Sequence, residues 1–222
     1  MHSYNENGVA DALRKGISIS NAEIQPLPGS KDEVLTIDST FVLSQKESAI
    51  FIDTLAEESV IKSGEIGEYQ YVHIASHGFV NQEEPEFSGI FLRLDPADTL
   101  EDGILFSGEV YDLNLNAELV TLSACETGLG KISEGEGIIG LTRALIYAGT
   151  KNVNVSLWKV SDASTRNLMV GLYDQLARTE VPTDKFQTLN YSRYLRQSKL
   201  QMIEDGEYAH PYYWSPFVLI GK

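Results

Sequence analysis

Four short apolar runs constrain the fold of this chain more than any other feature. They are Tyr69-Gln70-Tyr71-Val72-His73-Ile74-Ala75-Ser76, Leu119-Val120-Thr121-Leu122-Ser123-Ala124, Val153-Asn154-Val155-Ser156-Leu157-Trp158 and Phe217-Val218-Leu219-Ile220. Runs of this length that are apolar almost throughout read as strands covered on both faces, not as strands with one wet side. Segments of helical period separate them. A helix is expected over Ile138–Ala148, with Ile138, Leu141, Leu145 and Ala148 on one face and Gly149 as its C-terminal cap. Another starts at a cap formed by Ser161 or Asp162 and runs to about Ala177, with Leu168, Leu172 and Leu176 on one stripe. Alternation of this kind specifies an α/β domain built on a mostly parallel sheet.

The remaining elements are read the same way. Ser30 followed by Glu33 has the form of a capping box opening a helix. Ala49, Ile52, Leu55 and Ala56 place a second helix over Gln45–Ser59. Residues 79–88 read as an acidic loop, Gly89–Leu94 as a strand, Asp95–Gly103 as a loop and Phe106–Leu113 as a short helix. A long helix over Thr183–Asp205 is expected to carry Phe186, Leu189, Leu200 and Ile203 on its inner side. Residues 1–21 form a lead-in, with a short helix at Asp11–Lys15, and 22–222 form the domain, near whose start Pro26-Leu27-Pro28-Gly29-Ser30 is a turn that breaks any element.

A chain of 222 residues suits one medium domain. Its net charge of −15 argues against nucleic acid and anionic membrane as partners, and is compatible with a basic peptide. No apolar run approaches the roughly 18 residues that span a bilayer. The first residues lack the basic and apolar regions of a signal peptide. Cys125 is the only cysteine, so there is no internal disulfide and no thiolate zinc cage, and a reducing cytoplasm is the expected location.

Chemistry concentrates at two strand ends. Cys125 closes the second apolar run, and His77 closes the first, 48 residues earlier. A thiol becomes a nucleophile only as thiolate, and free cysteine titrates near about 8.5, so a neighbouring imidazole is the natural activator. Gly78 leaves its N–H open to a developing oxyanion, as does the N–H of Cys125. Gly128 and Gly130 let a substrate backbone approach. The competing reading is an inert buried thiol and a satisfied histidine at a strand end. His73 shares a strand face with His77 but lies deeper, where packing or orientation is its expected role. No third ligand completes a metal site with the two histidines, and no cofactor is implied. Gly135-Glu136-Gly137-Ile138-Ile139-Gly140 has the outline of a dinucleotide fingerprint. Its first glycine, however, follows the strand by about ten residues, and Glu134 and Glu136 would repel a pyrophosphate.

Taken together, these motifs resemble a CHAT domain, the caspase-like family that is also similar to separase. The stretches that carry the resemblance are Pro26-Leu27-Pro28-Gly29, His73-Ile74-Ala75-Ser76-His77-Gly78 and Leu122-Ser123-Ala124-Cys125-Glu126-Thr127-Gly128. They continue with Gly135 through Ala144, Ser156-Leu157-Trp158-Lys159-Val160-Ser161-Asp162, and His210 through Gly221. A histidine about 50 residues before a cysteine is itself a caspase spacing. The resemblance implies a caspase-like three-layer sandwich and a cysteine endopeptidase that cleaves a protein partner or itself. It implies His77 and Cys125 as the dyad and the backbone N–H groups of Gly78 and Cys125 as the oxyanion hole. By analogy with separase-like enzymes, Asp162 would pair with a basic side chain before the scissile bond, with Ser123 and Trp158 beside it. Capping of the following helix is the alternative role for Asp162, and Asp95, Asp98 and Asp102 are alternative sources of acidity. Helical-repeat neighbours and a prokaryotic defence or death pathway are what the family suggests. CHAT domains usually carry further strand-forming sequence before the Pro-Leu-Pro-Gly turn, whereas 25 residues precede Pro26 here, so a shortened domain or a fragment lacking N-terminal strands is the expectation, and a catalytically inactive interaction module is the alternative function.

Overall fold

The computed structural model describes residues 27–81, 84–93, 100–123, 136–158, 161–180 and 189–221. Among these, β1 (Tyr71–Ile74), β5 (Leu119–Leu122), β6 (Asn152–Ser156) and β7 (Phe217–Gly221) form a four-stranded sheet in the order β1-β5-β6-β7. β1, β5 and β6 are parallel, and β7 closes the sheet antiparallel to β6. A second, three-stranded antiparallel sheet joins β2 (Gly78–Phe79), β3 (Gly89–Phe91) and β4 (Ile104–Phe106).

Helices cover both faces of the main sheet. On one face lie α1 (Pro28–Leu43), α5 (Asp162–Arg178) and α6 (Tyr191–Asp205). Ile37, Phe41, Leu168, Leu172, Tyr173 and Leu195 pack there with Leu119 and Phe217 of the sheet. On the other face lie α2 (Glu58–Lys62), α3 (Ser107–Val110) and α4 (Glu136–Tyr147). Ile61, Val110, Leu141, Ala144 and Leu145 pack there with Val72, Val120, Leu122, Val153 and Val155. The strands alternate between two buried layers, which is why their sequences are apolar almost throughout. The result is an α/β three-layer sandwich with a mostly parallel central sheet, as a caspase-like fold requires.

The expected helix over Ile138–Ala148 is α4, and Gly149 ends it with φ +112°. A Cβ at Gly149 would lie 2.0 Å from Leu115 O, so both backbone angle and space demand glycine. Helix α5 begins as expected, and Ser161 is its cap: its Oγ accepts from Ser164 N at 3.2 Å. A short helix, α7 (Pro211–Trp214), precedes β7.

Four expectations are corrected. The segment Gln45–Ser59 is not a helix. Gln45 and Asp53 have positive φ (+59° and +52°), and Lys46 Nζ is drawn off to donate to Leu176 O (3.1 Å) and Thr179 O (2.6 Å) at the end of α5. Residues 46–52 therefore run without helix, a 3-10 turn follows at Asp53–Leu55, and α2 starts at Glu58. The capping box at Ser30 does not form. Helix α1 already starts at Pro28, where proline lacks only a donor the first turn leaves unused, and Ser30 Oγ donates to Leu27 O (2.8 Å). Glu33 points inward instead. The inner stripe of α6 consists of Tyr191, Leu195, Ser198 and Met202, while Leu200 and Ile203 are exposed. Phe186 lies outside the described residues. Finally, Ile104–Phe106 is a strand preceding a helix of one turn, where a longer helix from Phe106 was expected.

Candidate active site

The sheet register brings the two predicted strand ends side by side. Each residue of β1 faces the β5 residue 48 positions later, from Tyr71 opposite Leu119 to Ile74 opposite Leu122. β6 lies on the other side of β5, with Thr121 opposite Asn154. All three strands therefore end at the same edge, the edge where parallel sheets gather functional groups.

His77 follows β1 and is buried, 8% exposed. Its carbonyl accepts from Phe91 N (2.8 Å), and Ser76 Oγ donates to Phe91 O, so β3 holds the Ser76–His77 turn through two bonds at Phe91. Gly78 is buried and starts β2. Ser123 follows β5, is buried, and donates its N–H to Ile74 O (3.0 Å). Its Oγ has no partner among the described residues. Cys125, Gly128, Gly130, Gly135, Asp95 and Asp98 lie outside the described residues.

The β6 end carries the residues expected to flank a substrate. Ser156 Oγ donates to Trp158 O (2.6 Å), and the Trp158 indole donates to Tyr212 O (3.2 Å). Asp162 is half-buried at the start of α5. It does not cap α5; its carboxylate instead accepts from Gly29 N, tying the first turn of α1 to the first turn of α5. A Cβ on Gly29 would sit 2.6 Å from that carboxylate oxygen and would push the Asp162 side chain aside. Asp102 Oδ1 accepts from Ile104 N at the start of β4 (2.9 Å).

Below the strand ends lies a polar row that periodicity alone does not reveal. His73, Thr121 and Asn154 are cross-strand neighbours on the α1–α5 face of an otherwise apolar sheet. Glu33 of α1 reaches in to His73, with Oε1 and Nε2 2.6 Å apart and the side chains only 1% and 8% exposed. The Tyr173 ring meets His73 edge-on at 4.9 Å, and its hydroxyl donates to Thr121 Oγ1 at 3.0 Å. Burial pushes the Tyr173 hydroxyl far above the ordinary tyrosine range, so it stays a neutral donor. Asn154 Nδ2 donates to Met169 Sδ (3.6 Å). The packing or orienting role expected of His73 fits this position. The signal available in the sequence was a threonine and an asparagine at the same-facing positions of two apolar runs.

A separate cluster on the opposite layer joins Glu58, Glu101 and Glu109. The Lys62 ammonium sits among them at 2.5, 2.6 and 2.7 Å, in the place a metal cation would take. Among the described residues, no helix is long and apolar enough to cross a membrane.

The chain is 30% identical over 123 residues to human tetratricopeptide repeat protein 28, and 29% identical over 123 residues to the mouse protein. These matches cover 55% of this chain and 5% of each relative, so the chain spans a small fraction of the relatives' length. A match to the CHAT domain takes in residues 7–222, from before α1 to beyond β7. By that match this α/β sandwich belongs to the CHAT domain family, a caspase-like, peptidase-related family.

Proposed function

We propose that this chain is a cysteine endopeptidase in which His77 and Cys125 form the dyad. The observation that carries the proposal is the register: the offset of 48 residues that pairs β1 with β5 is also the offset between His77 and Cys125. Both residues follow strands that end at the C-terminal edge of the sheet, which supports their acting together as base and nucleophile. His77 takes the thiol proton, and the thiolate attacks the scissile carbonyl carbon. The backbone N–H groups of Gly78 and Cys125 stabilise the resulting oxyanion. Collapse expels the amine, which receives the proton from His77, and water then hydrolyses the thioester. Asp162 selects a basic side chain before the scissile bond, beside Ser123 and Trp158. A helical-repeat neighbour presenting the substrate fits the tetratricopeptide repeat relatives.

Cleavage of a peptide library by the wild type, lost in Cys125→Ala and His77→Ala, is the expected result. No cleavage by any of the three sinks the peptidase assignment. In the same library Asp162→Asn should reduce cleavage after arginine far more than after leucine; equal losses remove Asp162 from substrate selection. A Cys125 thiol inert to iodoacetamide and insensitive to His77→Ala would favour the interaction module.

A further inference from the structure

Ala75–His77 carry the chain from β1 of the main sheet to β2 of the small one. Such a connection has roughly six soft backbone angles, and the direction of the His77 imidazole depends on them. The structure holds it at both ends and in its middle. At its start, Ile74 O accepts from Ser123 N (3.0 Å), which ties it to the end of β5. At its end, His77 O accepts from Phe91 N (2.8 Å). Between the two, Ser76 Oγ donates to Phe91 O. The pairing of Gly78 with Ile90 accounts for the second of these bonds, since it sets Phe91 opposite His77. The third is not a ladder bond. A ladder brings a backbone N–H to each carbonyl, whereas a side-chain hydroxyl from the turn reaches Phe91 O.

The anchor itself is stiff. Phe91 pairs with Ile104 of β4, and its ring packs on Phe79 with centroids 5.0 Å apart. Beyond it, Leu92 N donates to Gly103 O (2.8 Å) and Arg93 N to Ala56 O (2.8 Å), and the Arg93 guanidinium pairs with Glu57. Ile90 and Leu105, beside it in the small sheet, are buried. The antiparallel sheet thus gives the Ser76 hydroxyl a fixed point to hold.

We infer that Ser76 is a positioning residue: its hydroxyl, through Phe91 O, fixes the backbone turn that sets the direction of the His77 imidazole. This rests on His77 and Cys125 acting as the dyad. A base must stay within about 2.6–3.2 Å of the atom whose proton it takes, and a misplacement of about 1 Å costs about 100-fold in rate. One neutral hydrogen bond contributes little to the stability of a whole domain, so its loss should register in alignment before it registers in unfolding. Alanine removes the donor, and threonine keeps it.

Alkylation of Cys125, the only thiol of the chain, reads this alignment in the full-length protein without a substrate. Iodoacetamide reacts with the thiolate, so its rate against pH gives the titration midpoint of the thiol. The wild-type midpoint should lie below the free-cysteine value of about 8.5, and that of His77→Ala near it. Ser76→Ala, with the imidazole misaligned, should raise the midpoint by about one pH unit and lower kcat on a cleaved peptide about 10- to 100-fold, with KM changed less than about threefold. Ser76→Thr should restore both. A purely structural role would lower Tm and leave the midpoint of the folded protein in place. If Ser76→Ala fails to fold, Ser76→Thr against Ser76→Val, alike in shape but with and without the hydroxyl, makes the same comparison. A low wild-type midpoint that Ser76→Ala leaves unmoved overturns this inference and leaves the dyad standing. A wild-type midpoint at the free value, unmoved by His77→Ala, overturns the dyad and this inference with it.

Discussion

Replacing Glu33 by leucine should cost far more than a helix surface position would, because Glu33 is 1% exposed and bonded to His73 at 2.6 Å. The change removes a charge-assisted hydrogen bond and strands Nε2 of an imidazole whose Nδ1 already lacks a partner among the described residues. Leaving a buried polar group unsatisfied costs about 1–3 kcal/mol, more where the group is charged. A loss of about 3 kcal/mol is expected for Glu33→Leu, and a similar loss for His73→Leu. The double variant puts two apolar side chains face to face between α1 and β1, where Phe41 and Tyr173 already pack. It should lose much less than the sum, leaving a coupling of about 2 kcal/mol or more. Urea titration followed by circular dichroism measures all four proteins, and an unchanged slope against urea confirms that only stability moved. For a domain this size about 3 kcal/mol corresponds to roughly 6–12 °C in Tm. Additive losses, with coupling below about 0.5 kcal/mol, would refute the claim that the pair acts as one buried unit.

Two further outcomes follow from the same structure. Gly149→Ala should destabilise by more than about 2 kcal/mol in a thermal melt, since the new Cβ meets Leu115 O at 2.0 Å under φ +112°, whereas Gly206→Ala, in open space at φ +85°, should cost about 1 kcal/mol. Glu58 gives a pH dependence. Burial raises its pKa to about 7 against the opposing hydrogen bond from Lys62, so its protonated form is favoured by folding. The stability from this group is full below the unfolded value of 4.5 and is lost as pH rises toward about 7. Across that window the wild type should lose stability relative to Glu58→Gln; parallel curves would contradict the assignment.

Much of the frame was legible because both faces of the sheet are covered. Continuous apolar runs announced β5, β6 and β7, and helical period announced α4 and α5. The errors share a cause: periodicity records which side chains are apolar, not which backbone angles the chain can adopt. Ala49, Ile52, Leu55 and Ala56 satisfy a helical template, but Gln45 and Asp53 take positive φ and Leu55 is 58% exposed. On α6, Leu200 and Ile203 were credited with an inner face that Ser198 occupies instead, because Ser198 Oγ accepts from Gln175 of α5 at 2.9 Å. Glu33 was read as a capping partner because its spacing from Ser30 allowed it; only the approach of α1 to β1 shows the carboxylate facing His73. Thr121 and Asn154 stood in plain view within their runs, but nothing in one dimension aligns them with His73.

That alignment bears on how the sheet finds its pairing. A strand apolar on both sides carries little information about register, since sliding it by one residue exchanges one greasy face for another. His73, Thr121 and Asn154 remove that ambiguity. A one-residue slip of β1 would carry His73 out of reach of Glu33 and into the layer of Ile61 and Leu145, leaving a carboxylate and an imidazole both unsatisfied. The same slip would alter the 48-residue offset that aligns the two strand ends. The buried polar row thus works as an index pin: its few hydrogen bonds penalise every pairing but one, the one that brings the ends of β1 and β5 level.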